Sequence, residues 1–440
     1  MSYSFVFGPA GSGKTEHAFR TVIRESLEQK ERHFFLLVPE QYGMMMQKRM
    51  LELHPKHASA NIEVLSFNRL AWRIFEECGV RSPGIMDDTG KAMVLRRVAA
   101  AEADRLTVWR HRLRQAGFTA HVKSMISEFY QYGVTPEMLD RAAEDSSGTV
   151  RLPLRQKLRD LSVLYGAFRE FVTSDRIPAE ELLPMLCRYL PQSRLVRDAV
   201  FLLDGFTGFT PVQYRVIGTL LPLAAELRFT VTIGADADPY RIPAAEDLFR
   251  MSAEMTQKIA RLAADLSIPR GEDLFLREKY RFAKAPALSF LEEHFLRYDG
   301  AACPGTPEGI TVCTAGTPAE EAAAAAAEIL RLVKSEGYRY REIAVISADF
   351  ENYEPELRHE FLRQGIPFYS DRSLSVAANP LPEMLRAALE CVADRYSARS
   401  FLRFLKCGLI PDPDRMIPVC ASYMERCGIR SYGKLSAAWE

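Results

Sequence analysis

Eight consecutive residues, Gly8, Pro9, Ala10, Gly11, Ser12, Gly13, Lys14 and Thr15, carry the spacing GxxxxGK[ST]. Glycines at these positions let the backbone curl until successive N–H groups point inward at a single anion. A lysine adds a mobile positive charge, and a threonine hydroxyl adds a hard oxygen for a hard cation. Those residue types in that order predict a cradle for the phosphates of ATP. The loop N–H groups would wrap the β-phosphate, Lys14 would bridge the β- and γ-phosphates, and Thr15 would ligate Mg²⁺. Such a site needs a second acidic group for the metal, at the end of a neighbouring strand. Asp204 fits, because it ends the apolar run at 200–203, and would hold Mg²⁺ through water. The residue after it is Gly205, which has no side chain to take a proton from attacking water. Loss of a general base costs about 10²–10⁴ in rate. The expectation is therefore a site that binds ATP and hydrolyses it poorly, and no catalytic residue is assigned. Asp198 and Asp236 are the other carboxylates considered as a base. Asp198 precedes the strand and so sits at its wrong end, and Asp236 is poorly placed by register.

A phosphate loop works only between a strand that ends at it and a helix that starts from it. Residues 3–7 form an apolar run that stops at Gly8, which predicts a buried strand. After Lys14, Ala18, Phe19, Val22, Ile23 and Leu27 fall on one helical face. Further strands are predicted at 34–38, stopped by Pro39, and at 62–66, 199–203 and 227–233. Strands alternating with helices argue for a parallel α/β sheet, here of the P-loop NTPase (RecA-like) class. Between 67 and 190 the periodicity is almost entirely helical, which predicts an insertion. The Pro- and Gly-rich loop at 303–309 is a candidate boundary. Beyond it a second α/β unit is predicted, with strands at 310–313 and 343–347. Its first helix opens at Thr317-Pro-Ala-Glu320, a capping-box pattern, and continues through the alanines 322–327. The predicted organisation is an α/β domain over 1–75 and 191–300, a helical insertion over 76–190, a partial second α/β domain over 305–380 and a helical start of a further insertion over 381–440. With only two strands read in that last α/β unit, a longer natural protein or a cut chain is expected.

Composition sets the outer bounds. The length of 440 residues suggests about two to four packed units. A formal net charge of zero means that any DNA-binding surface is a local patch rather than a global field. One patch stands out: Arg96, Arg97, Arg105, Arg110, Arg112 and Arg114, with Trp109 among them. It reads either as a solvated helix face or as a phosphate-contacting surface with an aromatic for stacking. No apolar run reaches the roughly 18 residues needed to span a bilayer, and the first residues lack a basic n-region. A cytoplasmic protein without a membrane partner is expected. The cysteines at 78, 187, 303, 313, 391, 407, 420 and 427 form no CxxC pair and are expected as reduced thiols in or near cores. His54 and His57 read as a surface loop rather than a metal site.

The run Asp204-Gly205-Phe206-Thr207-Gly208-Phe209-Thr210-Pro211-Val212-Gln213 resembles the superfamily 1 helicase run Asp-Glu-Phe-Gln-Asp-Thr-Ser-Pro-x-Gln. Asp204, Phe206, Pro211 and Gln213 match in register, and Gly205 stands where that family has its catalytic glutamate. Residues 64–71 are similar to the helicase motif after the third strand. Ile233-Gly-Ala-Asp236 sits where a Gly-Asp-x-x-Gln motif belongs, without the glutamine that senses the γ-phosphate. The adenine-reading glutamine upstream of the loop is also missing. Over nearly its whole length the chain resembles the AddB family, the B subunits of bacterial AddAB helicase–nucleases. The resemblance rests on the loop from Gly8, Val38-Pro-Glu-Gln41, Leu65-Ser-Phe-Asn-Arg69, Leu203-Asp-Gly-Phe-Thr207, Tyr338-Arg-Tyr-Arg-Glu-Ile-Ala-Val345 and Gly365-Ile-Pro367. It implies a DNA-binding subunit with a decayed motor, paired with an active AddA-type helicase–nuclease subunit. It also implies action on double-stranded DNA ends during recombinational repair, and scanning of single-stranded DNA for a Chi sequence. The family's nuclease domain and four-cysteine iron–sulfur cluster lie in a C-terminal part, and nothing in 1–440 matches them. An active ATP-dependent helicase is the alternative reading. A small-molecule phosphotransferase is a third, disfavoured by the insertion and the second α/β unit.

Overall fold

The computed structural model describes all residues except 81–83, 114, 116, 145–151, 173–175, 298, 371–375, 377–378, 412–414, 431 and 437–440. The chain divides into two compact units, Met1–Thr311 and Val312–Glu440.

The strands are β1 (Ser2–Gly8), β2 (Phe34–Leu37), β3 (Ile62–Leu65), β4 (Gly84–Met86), β5 (Arg176–Pro178), β6 (Val200–Leu203), β7 (Glu226–Thr232) and β8 (Leu274–Phe275). Six of them form the main sheet of the first unit in the order β3-β2-β6-β7-β1-β8, and every pairing in it is parallel. Helices α1 (Lys14–Glu28), α2 (Gly43–Leu53), α3 (Phe67–Glu77), α4 (Asp88–Ala101), α5 (Phe118–Tyr132), α6 (Pro136–Glu144), α7 (Leu152–Phe171), α8 (Leu182–Tyr189), α9 (Pro211–Leu220), α10 (Arg250–Asp265) and α11 (Pro286–His294) complete it.

The sheet is buried on both faces, as parallel sheets require. Alternation along the strands divides its side chains. Phe5, Phe7, Phe35, Leu37, Phe201, Leu203, Phe229 and Val231 lie in one core with residues of α3, α8, α9 and α10. Phe34, Leu36, Val64, Val200 and Leu202 lie in a second core with Ala18, Phe19, Val22 and Ile23 of α1 and Met50 of α2. Leu27, read on the same face of α1, is instead exposed at the last turn, and the buried position there belongs to Ser26, whose hydroxyl donates to Ile23 O.

Helices α4 to α7 enclose a separate core that includes Leu95, Val98, Ile126, Leu164 and Phe168. This stretch is not wholly helical: β4 pairs with β5, in parallel, where the chain enters and leaves it. Three-residue strands are too short to show a period of two in the sequence. Trp109 is buried against Phe118 in this core, so it offers no ring for base stacking. Around it, Arg105 pairs with Glu102, Arg110 with Asp104, and Arg97 lies over the Phe171 ring. Arg114 lies outside the described residues. What orders the segment is Asp160, only 1% exposed, whose carboxylate accepts from Thr107 N and Oγ1, Val108 N and Trp109 N at 2.8–2.9 Å. His54, read as a surface residue, is buried, and its Nδ1 accepts from Lys56 N.

The second unit contains α12 (Pro318–Ser335), α13 (Phe350–Gln364), α14 (Pro380–Ala393), α15 (Ala398–Leu405), α16 (Met416–Arg426) and α17 (Tyr432–Leu435). Ala322, Ala326 and Ile329 of α12 pack against Leu357 and Phe361 of α13, with Ile366 beyond. Thr317 caps α12 by accepting from Glu320 N, while the Glu320 carboxylate reaches past it to Gly316 N, so half of the expected capping box forms. The two strands expected here do not form: residues 310–313 and 343–347 have no ladder partner among the described residues, and Val312 and Ile346 are 87% and 92% exposed. An apolar run becomes a strand only where a neighbour takes up its backbone groups. Cys391 and Cys407 are buried, whereas Cys313 and Cys427 are exposed.

Candidate functional site

The residues singled out by spacing meet at the carboxyl ends of the strands, where open α/β sheets bind ligands. Strand β1 ends at Gly8, and α1 begins at Lys14, preceded by Gly13 in the left-handed region at φ 81°. Gly11 is also left-handed, at φ 75°. Gly8 is required for space rather than dihedral freedom: a Cβ there would lie 2.5 Å from both Leu276 O and Ser12 Oγ. Ser12 is 1% exposed, and its hydroxyl has no hydrogen-bond partner among the described residues.

Lys14 Nζ turns back into the loop and donates to Gly8 O at 2.9 Å and Pro9 O at 2.8 Å. Burial pushes the Lys14 ammonium down to about 8; Asp204 and Glu292 oppose that, and Arg281 adds to it. Thr15 and Asp204 are 189 positions apart in sequence, yet Thr15 Oγ1 lies 3.0 Å from each carboxylate oxygen of Asp204. Asp204 is 2% exposed and is held by its own N–H, which donates to Leu37 O at 3.0 Å. Burial raises its carboxyl above the usual range, against hydrogen bonds from Thr230 and Thr15 and the charge of Lys14. Thr230 is a residue that spacing alone does not single out. It comes from β7, which lies between β1 and β6, and its hydroxyl donates to Asp204 Oδ1.

These groups open into a cleft of about 950 Å³. On α1, Glu16 also lines it, paired with Arg20 and Arg49. Its walls away from α1 and the 204–207 turn are Met45, Met46 and Arg49 of α2, Thr232 of β7, Leu276, and Tyr280 and Arg281 from the turn before α11. None of these carries a spacing signal; chain topology alone delivers them. The alternative bases are not in the cleft. Asp236 does not line it. Asp198 precedes β6, at the opposite end of the strand from Asp204, and does not line the cleft. Gly205 does line it, in the left-handed region at φ 81°, with Pro39 Cδ 3.5 Å from where a Cβ would sit.

The stretch 204–213 builds the ground beside the cleft. Phe206 and Phe209 pack on Phe67 at 5.7 and 6.1 Å between ring centroids. Thr210 and Gln213 form a full capping box, with Pro211 in the first turn of α9. Glu40 accepts from Asn68 at 2.8 Å, which ties the stretch 38–41 to 65–69.

A family model described as ADDB, N-terminal, matches residues 5–292. A protein of Lachnoclostridium phytofermentans, named as the B subunit of an ATP-dependent helicase/deoxyribonuclease, is 34% identical over 100% of this chain and 38% of its own length. Proteins of the same name from Symbiobacterium thermophilum and a Thermoanaerobacter species are 33% and 32% identical, over 97% and 100% of this chain and 37% and 38% of their own lengths. The chain thus spans less than two fifths of the length of these curated relatives. With 288 of its residues inside the family match, by the span 5–292, the chain belongs to the AddB N-terminal family.

Proposed function

We propose that the cleft binds ATP with Mg²⁺ and turns it over little or not at all, in a chain of the P-loop NTPase class. The observation that carries this reading is the facing pair Thr15 and Asp204, 3.0 Å apart beside a glycine loop that opens into α1. The residues present suit the ligand. The left-handed Gly11 and Gly13 and the space-limited Gly8 fit a phosphate cradle, and the unpartnered Ser12 hydroxyl is a donor in waiting. Gly8, Pro9, Ala10, Gly11, Ser12, Gly13, Lys14 and Thr15 would hold the phosphates; Thr15 and Asp204 would hold the metal. Mg²⁺, when bound, supplies charge neutralisation between the β- and γ-phosphates. Lys14 would leave the carbonyls of Gly8 and Pro9 for the phosphate oxygens. Gly205 supports weak turnover, because neither it nor Asp198 nor Asp236 offers a carboxylate in the cleft.

The family and the names of its relatives support a wider reading, also proposed here. The chain is the N-terminal part of a cytoplasmic B subunit of a helicase–deoxyribonuclease that processes double-strand breaks for recombinational repair. Its partner is an AddA-type subunit, its ligands are single-stranded DNA and double-stranded ends, and its role is Chi scanning. Nuclease and iron–sulfur functions are assigned to none of these residues. Residues 305–380 are read as a partial second α/β domain, and the greater length of the relatives supports strand partners for 310–313 and 343–347 elsewhere in the protein. Calorimetric titration with Mg-ATP tests the site: Lys14→Ala is expected to abolish binding with the fold retained, and unchanged binding would refute the assignment.

A further inference from the structure

The Gly8–Thr15 loop already touches an anion of its own chain. The Ala10 N–H donates to Oε1 of Glu292, on α11, at 3.2 Å. The other carboxylate oxygen of Glu292 pairs with Lys279 Nζ at 2.7 Å, and the two side chains are only 14% and 13% exposed. Lys279 also donates to Ser289 O within α11 at 3.3 Å, so its ammonium pins the carboxylate to the helix that carries it. The turn between them is seated on the same loop. Arg281 N donates to Gly11 O at 3.1 Å, and a Cβ on Gly11 would meet Arg281 Cβ at 2.8 Å. Nothing in the glycine spacing foretells this contact, which joins positions 282 residues apart.

A loop N–H aimed at a carboxylate is engaged as it would be by a phosphate oxygen, and two anions cannot share that donor without strong repulsion. We propose that Glu292 is a resident anion on the phosphate loop, and that α11 with its Lys279 turn is an autoinhibitory cover that must withdraw before nucleotide binds. This rests on the nucleotide reading above. Affinity is then reduced by the fraction of molecules in which the carboxylate is away from the loop. Lys279, bonded to Ser289 O and Glu293 as well as to Glu292, moves with α11 as part of that cover. Glu293 supplies an internal control. It pairs with the same Lys279 at 3.3 Å and is 49% exposed, but makes no hydrogen bond to the loop among the described residues.

The test is the affinity of the whole chain for Mg-ATP and Mg-ADP, by calorimetry, in the parent and in Glu292→Gln, Glu292→Ala, Glu293→Gln and Lys14→Ala, each checked for an unchanged melting profile. Glu292→Gln keeps the shape of the side chain, so at least one variant retains the packing of α11. Both Glu292 variants are expected to bind about tenfold tighter than the parent, and Glu293→Gln within about twofold of it, as for a loop about nine-tenths occupied by carboxylate. Parent-like or weaker binding by both Glu292 variants, with the parent binding well, overturns the proposal and leaves the nucleotide reading standing. Equal tightening by Glu293→Gln overturns it too, because the effect would then be charge in general. If no protein binds nucleotide, or Lys14→Ala binds as well as the parent, the nucleotide reading falls and this inference falls with it.

Discussion

Lys14 is central to the proposed nucleotide site, and its protonation gives a signed prediction. Burial brings its ammonium down to about 8 in the free protein, and bound phosphates favour the charged form and raise it again. Below pH 8 the charge is in place before the ligand arrives, so affinity is flat. Above pH 8 a proton must be taken up on binding, and affinity falls by up to about tenfold per pH unit. Titration at pH 7 and pH 9 in buffers of different ionisation enthalpy measures both the loss and the proton uptake; equal affinity at the two values contradicts it. Gly205 gives a second prediction. Its φ of 81° penalises any side chain by about 1–2 kcal/mol, so Gly205→Glu is expected to destabilise the chain by that amount and to gain no ATPase activity. Turnover in that variant would mean that the loop relaxes around an added carboxylate. Lys14, Thr15 and Asp204 were legible in the sequence because a loop with fixed glycine spacing, and an acid at a strand end, are local signals. Thr230, Lys279 and Glu292 were not, because each is an ordinary polar residue until the sheet order sets it beside the loop.

At the level of elements, two capping arrangements carry predictions that are independent of nucleotide. Asp160 holds four donors of residues 107–109 from a buried position on α7. Asp160→Ala removes the acceptor of all four donors, of which the Trp109 N–H is buried, and is expected to cost about 3 kcal/mol in denaturant unfolding. Trp109 emission should shift red as its cover loosens; unchanged stability would mean that water replaces the carboxylate freely. Thr210→Ala removes half of a capping box at α9 and is expected to cost about 1 kcal/mol. The same stretch shows how a resemblance can be physically explained: Pro211 and Gln213 match a helicase run, and their work here is to start a helix. Five strands of the main sheet were legible as apolar runs, three of them closed by Gly8, Pro39 and Asp204, whereas β8 was not read, because two residues show no period. The runs at 310–313 and 343–347 carried the same signal, yet have no ladder partner among the described residues, because a strand is a property of two segments and the sequence of one segment does not contain its partner.

For the whole molecule, the division at Thr311 has a consequence. Every residue lining the cleft belongs to Met1–Thr311. A fragment of residues 1–311 is expected to fold and to bind Mg-ATP within a few-fold of the full chain. Loss of binding in a well-folded fragment would show that residues beyond 311 complete the site. No described helix is long and apolar enough to cross a membrane, and the net charge of zero leaves DNA contact to local surfaces. The central claim is that this chain binds ATP through Lys14, Thr15 and Asp204 without turning it over appreciably. The most direct measurement is Mg-ATP affinity together with the rate of phosphate release, on the same preparation, with and without single-stranded DNA. Binding that Lys14→Ala removes is expected, with phosphate release that stays near background and does not rise with DNA. DNA-stimulated turnover abolished by Lys14→Ala would contradict it and make this chain a working motor.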